Sequence, residues 1–365
     1  MEYGEIIYAC ALNKIFKYNC LEAKLIIEKY KWPSKIFELS PDKLKSETNL
    51  KDKLIEEIQN PENLSWAEKE VEWCNSHNIR LLFITDEDYP YRLRECPDAP
   101  IILYYRGNAD LNAERIIAIV GTRLATEYGK YACRSIIKAL RKLDPKPIIV
   151  SGLAYGIDIT AHREALELGM KTIGVMATGL DTIYPASHRN IAAKMLNMGG
   201  VLSDFPSKTP GATINFLKRN RIIAGIADAT ILVESKIKGG GLVTIKQANS
   251  YSRNCFAIPG RINDITFEGC NLMIEKNIAA IINTPETIAL EMNWEDNSKK
   301  ELELFENINP IKTKILVTLS SGLPMDINSI FNATKLDIKE LTLNITELEL
   351  DGIIIEDNNS KYRLK

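Results

Sequence analysis

Short apolar runs that end in glycine turns and alternate with helical segments predict an α/β chain. The fold expected is a Rossmann-like, doubly wound parallel sheet with a small helical N-terminal domain and a C-terminal winged helix. Three observations carry this. From residue 80 to about 290 the strand-like and helix-like units repeat. The strand-like runs, such as IIAIV at 116–120, are apolar throughout, as strands covered on both faces must be. The 365-residue chain opens on helical periodicity alone and closes on three helical segments and a hairpin pattern.

Residues 1–77 read as short helices in a SAM or helix-hairpin-helix-like domain. LEAKLIIEKY (21–30) and KDKLIEEIQN (51–60) have apolar residues at a period near 3.6, and Trp32-Pro33 and Ser40-Pro41 break them. This is a packing or interaction unit without chemistry of its own. The Rossmann-like domain, 80–290, begins with RLLFITDEDYP (80–90) and IILYYRGN (101–108). RIIAIVGTR (115–123) then runs from strand into glycine turn, with a helix over 126–143. KPIIVSGLAYGID (146–158) repeats the unit with a helix over 159–168, and KTIGVMATGLD (171–181) repeats it with a helix over 189–198. GGVLSD (199–204), a basic segment before a helix, ATILVES (229–235), a helix after KGGG, NCFAIPG (254–260), a helix over 271–276 and AAIIN (279–283) complete it. Residues 291–310 are acidic and polar, and read as a linker. In 311–365, helices are expected in KTKILVTL, DINSIFNAT and DIKELTLNITELEL, with Asp326 as an N-cap. DGIIIEDNNSKYRL then forms a hairpin with Asn358-Asn359 near its tip, which completes a winged-helix pattern.

Composition narrows the function. Hydrophobic residues make up 45% and charged residues 26%, an ordinary balance for a soluble globular protein. No apolar run approaches the roughly 18 residues of a membrane span, and the opening MEYGEIIYAC lacks signal-peptide features, so a cytoplasmic location is expected. Seven cysteines without a C-x-x-C pair suggest neither a disulfide framework nor a zinc cluster. Three histidines, His77, His162 and His188, form no H-x-x-x-H pair, and no metal or cofactor is expected. A net charge of -2 argues against coating duplex DNA by bulk charge but leaves room for a local basic groove.

Ligands of doubly wound sheets bind beyond the carboxyl ends of the strands, and four loops there stand out. The first holds Gly121, Thr122 and Arg123, which combine backbone amides, a hydroxyl and a guanidinium suited to phosphate. Ser151, Gly152 and Tyr155 occupy the equivalent place on the next unit, and the third loop carries Tyr184, His188 and Arg189. The fourth, NFLKRNRIIAG (215–225), has Phe216 and then Lys218, Arg219, Asn220 and Arg221 entering a helix. Glycine after a buried strand is often required only by the turn, and like charges at the start of a helix are often merely solvated. Four such loops on one edge favour a ligand.

Other sites fit less well. GTRLATEYG is not a G-x-G-x-x-G fingerprint, and KGGGLVT (238–244) lacks the G-K-[ST] of a phosphate-binding loop. Ser151, Asp158 and His162 could be forced into a triad, but Asp158 and His162 at i, i+4 fit a helix-local contact better. Asp181 and Asp204 read as a turn and a cap rather than as paired carboxylates. Phosphate recognition without turnover is what remains. Cations beside Phe216, Tyr155 and Tyr184 suit a single strand, whose phosphates need positive charge and whose bases need π faces. Core and groove are equal readings for Phe216.

The motifs IAIVGTRLATEYG, IVSGLAYGIDITAH, GVMATGLDTIYPASHR, KRNRIIAG, KGGGLVTIKQA, FAIPG and EGCNLMI, in this order and spacing, resemble the DNA-processing protein (DprA, or Smf) family from about Leu82 to Ile282. The resemblance implies a non-catalytic, dimeric, cytoplasmic protein of natural transformation. Such a protein binds and protects single-stranded DNA and helps load the RecA recombinase, with a homodimer formed through the Rossmann-like domain. It also implies that Arg123 contacts DNA and that Phe216, Lys218, Arg219, Asn220 and Arg221 form the basic DNA-binding segment. Lys218 stands where the family usually has Pro, and Tyr155 where it is often basic.

Two rivals remain. A nucleotide phosphoribohydrolase-like enzyme would also bind phosphates in glycine turns, but its P-G-G-x-G-T-x-x-E pattern is missing around KGGGLVT. A duplex-DNA regulator would act through the winged helix. Its recognition helix, 337–350, carries Asp337, Glu340, Glu347 and Glu349 against Lys339 alone, which favours a protein contact instead.

Overall fold

Proline and small polar caps set the rhythm of the N-terminal helices. In the computed structural model, which describes residues 3–17, 19–294, 310–319, 324–357 and 360–364, the first of them is Tyr3–Phe16, followed by Cys20–Tyr30. Helices Pro33–Glu38, Pro41–Thr48 and Pro61–Ser76 each begin on proline, whose fixed φ suits the first turn and whose missing N–H costs nothing there. Ser40 and Asn60 cap the second and third of these, and Asp52–Gln59 lies between them. Leu12, Ile36, Leu44 and Val71 are buried among these helices.

The chain divides into two compact units, Met1–Met292 and Asn293–Lys365. The helical module therefore belongs to the same unit as the sheet. Polar contacts join them: the Glu70 carboxylate accepts from the Ser207 backbone N–H at 2.6 Å and from its hydroxyl, and Asn13 Nδ2 donates to the Asp204 carbonyl at 3.1 Å.

Nine strands form the sheet: β1 (Arg80–Phe83), β2 (Ile102–Gly107), β3 (Ile116–Val120), β4 (Ile148–Ser151), β5 (Thr172–Val175), β6 (Gly199–Ser203), β7 (Ala229–Leu232), β8 (Asn254–Ala257) and β9 (Ala280–Ile281). Their order is β1-β2-β6-β5-β4-β3-β7-β8-β9. From β6 through β9 all neighbours are parallel, with Ile116 opposite Ile148 and Ile117 opposite Ala229. β2 departs from the parallel expectation, because it is antiparallel to both β1 and β6. β1 and β2 thus form an antiparallel edge on an otherwise parallel sheet, a common arrangement because an edge strand need not be reached by a right-handed crossover helix. The strand order reverses between β3 and β7, so the loops after these two strands flank the crevice where doubly wound sheets hold ligands.

Helices Glu127–Leu140, Ile157–Glu167, Arg189–Asn197, Thr213–Ile226, Gly240–Ser250 and Glu268–Glu275 connect the strands. Thr213–Ile226 starts earlier than expected. The basic run lies inside the helix rather than ahead of its start, because the break is set by Pro210-Gly211.

In the second unit, helices Pro310–Leu319, Ile327–Thr334 and Ile338–Leu350 precede a hairpin of β10 (Ile354–Glu356) and β11 (Tyr362–Leu364). Ile315, Leu316, Ile330, Leu341, Ile345 and Leu348 fill its core. Asp326 caps the middle helix by accepting from Ser329 N–H at 2.8 Å. Residues 295–309 of the expected linker, and the Asn358-Asn359 tip, lie outside the described residues.

Candidate nucleic-acid interface

At the switch point the protein supplies its own anion. Glu234, fully buried just beyond β7, accepts from the Thr126 backbone N–H at 2.9 Å and from the Thr126 hydroxyl at 3.0 Å. Thr126 in turn caps the Glu127–Leu140 helix. A Cβ at Gly129 would fall 2.0 Å from the Glu234 carboxylate, so a larger residue there would displace that carboxylate from Thr126. A helix N-terminus in this position is a ready phosphate site in such sheets. Here Glu234 fills it, and an external phosphate is left the rim of the loop. Gly121 and Thr122 are half-buried there, while Arg123 is exposed. Sequence reasoning passed over Glu234, although an acid directly after ATILV, apolar but for Thr230, was the available signal.

Arg123 meets the fourth loop. Its guanidinium lies over the Phe216 ring, 5.2 Å from the centroid, and the Tyr184 ring packs against the same phenyl ring at 5.4 Å. Phe216 is half-buried and Tyr184 is 48% exposed, so core and groove meet at this residue. Tyr155, 50% exposed, shares a hydrogen bond with the Ser187 hydroxyl at 3.0 Å and lies edge-on to His188 at 4.8 Å. His188 is itself buried, with Nδ1 donating to the Leu153 carbonyl at 2.8 Å, whereas Arg189 is exposed.

The basic run divides. Lys218 is half-buried near the surface, but Arg219 and Arg221 are each only 4% exposed, and Asn220 is 9% exposed. Arg219 donates to the Gly152 carbonyl at 2.7 Å and to the Val175 carbonyl, which ties the loops after β4 and β5 to the helix. A Cβ at Gly152 would sit 2.5 Å from that guanidinium. Burial pulls the Arg219 pKa down to about 10, with the Asp158 charge opposing, so it stays protonated at neutral pH. Arg221 pairs with the buried Asp204 carboxylate and donates to the Asp98 carbonyl. Burial is the largest influence and works against its charge, but Asp204 together with Cys20, Asp98 and Tyr89 outweighs it and holds the pKa above the ordinary value. These two arginines assemble the floor of the site; their polar groups are spent inside the protein. Where the sequence leads us to expect the whole run on the DNA, Arg219, Asn220 and Arg221 lie beneath the surface.

Ser151, Asp158 and His162 do not form a relay. Ser151 is buried and donates to the Ile119 carbonyl at 2.6 Å. His162 Nδ1 bonds the Thr172 hydroxyl at 2.7 Å, and that hydroxyl donates to the Ile149 carbonyl. Asp158 accepts from Ala154 N–H at 3.4 Å rather than from His162, so the expected i, i+4 contact is not made. Asp181 accepts from Lys208 N–H and orders a loop.

What faces outward along one rim is the Arg123 guanidinium and three aromatic rings; Lys218, two positions on from Phe216, lies on another side of the helix, where its charge acts on Cys20. Such a surface can hold a phosphate at Arg123 while bases stack on Tyr155, Tyr184 or the exposed edge of Phe216.

Comparison with known proteins agrees with this architecture. Residues 80–293 match the sequence profile of the family described as DNA recombination-mediator protein A. The chain is 38% identical over 206 residues to the DNA processing protein DprA of Streptococcus pneumoniae, covering 56% of this chain and 72% of that one. It is 35% identical over 315 residues to the protein Smf of Escherichia coli, covering 83% of each. Among solved structures, DNA processing protein A of S. pneumoniae aligns with a TM-score of 0.59 at 30% identity, over 77% of this chain and 97% of that one. A structure reported as giving insights into the single-stranded DNA binding mode of DNA processing protein A from Helicobacter pylori aligns with a TM-score of 0.54 at 29% identity, over 60% and 97% of the two chains. The profile match spans the whole sheet-bearing region, and the chain belongs to the DNA recombination-mediator protein A family.

Proposed function

We propose that this chain binds single-stranded DNA along the rim formed by Arg123, Phe216, Tyr184 and Tyr155, without turning it over. The contact of Arg123 with Phe216 carries the reading, because it sets a phosphate-binding cation directly against an aromatic surface. The described helices include none long and apolar enough to cross a membrane, and a cytoplasmic site of action follows from the family resemblance. From the same resemblance we assign a role in natural transformation: protecting incoming strands and helping to load the RecA recombinase, as a homodimer built through the Rossmann-like domain. The second unit, taken as a winged helix, serves a protein contact. Its Ile338–Leu350 helix exposes Glu340, Glu347 and Glu349, and a negative face repels phosphates.

Fluorescence anisotropy with a labelled single strand and an equal length of duplex tests the reading. Clear preference for the single strand is expected. Equal affinity for duplex would support the regulator reading, and release of base from nucleoside monophosphates would support the enzyme reading.

A further inference from the structure

From the rim a cleft extends whose inner part the site described above does not use. It measures about 1040 Å³ and runs between the Glu127–Leu140 and Ile157–Glu167 helices, with Arg123 and Tyr155 at its mouth. Lys130, Arg134 and Arg163 line it, opposed by Glu164 and Glu167. Two of these five are neutralised locally: Lys130 pairs with Glu127 at 2.7 Å, and Glu164 lies 3.8 Å from Lys138. No described residue forms an ion pair with Arg123, Arg134 or Arg163. The cleft thus keeps three unpaired guanidiniums against one carboxylate, Glu167.

Their spacing indicates what they fit. Both helices start at the carboxyl edge of the sheet, after β3 and β4. Arg134 is seven residues into the first, about 10 Å from its start, and Arg163 is six residues into the second, about 9 Å from its start, at 1.5 Å per residue. Arg123 stands at the mouth. Arg134 and Arg163 thus lie at one depth, about 9–10 Å in from the edge where Arg123 stands, and two cationic levels so far apart exceed the reach of one phosphate and match a repeating polyanion that enters at Arg123 and continues along the cleft.

We propose that this cleft is a second segment of the DNA path, in which Arg134 and Arg163 hold backbone phosphates of the same strand that Arg123 grips at the rim. The inference rests on the single-strand reading above, and the test separates the two. Anisotropy titrations compare thymidine oligonucleotides of about six nucleotides, near the lower end of the site sizes of about 4–16 nucleotides that single-strand binders show, and of about twenty, above them. The Arg134→Gln/Arg163→Gln variant, altered at one half-buried and one exposed position and checked by a thermal melt, is expected to lose about tenfold on the long strand and less than about twofold on the short one. Its log-log salt slope on the long strand should fall by about 1.4, for two phosphates at about 0.7 each. Unchanged affinity for both lengths, or an equal loss on both, overturns the second segment. Saturable binding of thymidine monophosphate that vanishes in the variant overturns it in favour of a nucleotide pocket. Arg123→Ala reads out the parent proposal: if the short strand binds that variant as tightly as the parent protein, the rim itself is wrong.

Discussion

The Arg123 guanidinium stands 5.2 Å from the centroid of the Phe216 ring, joining the loop after β3 to a helix nearly a hundred residues later in the chain. The first is exposed and the second half-buried, so the pair has one member free to meet a phosphate and one that fixes its place. Arg123→Ala should weaken single-strand binding and lower the salt slope by about 0.7, with the melting temperature unchanged. Titration at several salt concentrations, beside a thermal melt, checks both halves.

Phe216→Ala should act on both sides. Loss of a stacking face predicts about 1–3 kcal/mol of binding, and the half-buried ring predicts a stability loss smaller than the about 3–5 kcal/mol of a fully buried Phe. A full core-sized loss of stability with binding intact would mean that the ring only supports Arg123.

Arg221→Ala is expected to be a folding variant. It leaves the Asp204 carboxylate, 8% exposed, without its partner, and breaking a buried pair costs about 3–5 kcal/mol. Replacing both, as Arg221→Met with Asp204→Leu, should recover much of that loss. Urea denaturation of the two singles and the double measures the coupling. Additive losses would show that the pair contributes nothing as a pair.

Much of this architecture was legible in the sequence, and the limits of legibility are physical. The strands at 116–120, 148–151 and 229–232 announce themselves because a strand covered on both faces tolerates almost nothing but apolar side chains. The exposed position of Arg123 was legible from its place after such a strand. Direction was not: the apolar composition of β2 is the same whether its neighbours run parallel or antiparallel. Nor was the fate of the three cations at 218–221, since a buried arginine and a surface arginine are the same letter. Burial there depends on distant acceptors, Gly152, Val175 and Asp204, which only the fold brings together. Glu234 was missed for the same reason, because its partner Thr126 lies 108 positions away.

His162 sets an acid limit on stability. Burial, reinforced by the His188 and Arg219 charges, depresses its pKa to about 3, against about 6.5 in an unfolded chain. Below pH ~6.5 the unfolded state therefore binds a proton that the folded state refuses. Stability is complete above that pH and falls by about 1.4 kcal/mol per pH unit as the pH drops toward the folded value. His162→Asn, whose amide can still donate to Thr172, should flatten this dependence. Urea midpoints at pH 7.5 and 5 for both proteins give the comparison, and parallel pH profiles would exonerate His162.

Removal of the second unit tests where the binding function resides. Met1–Met292 forms a compact unit with its own core and carries the entire rim, so truncation after Met292 should leave single-strand affinity within about twofold. The Ile338–Leu350 helix of the removed part uses Glu347 to bind Lys312 at 2.9 Å and turns Glu340 and Glu349 to solvent. Those carboxylates repel a phosphate backbone, and at low ionic strength, where screening is weak, their loss should if anything tighten binding. Anisotropy on the full chain and the truncated one, at low and physiological salt, makes the measurement. A loss of more than about tenfold on truncation would move the DNA contact into the second unit, against the sign of its exposed helix.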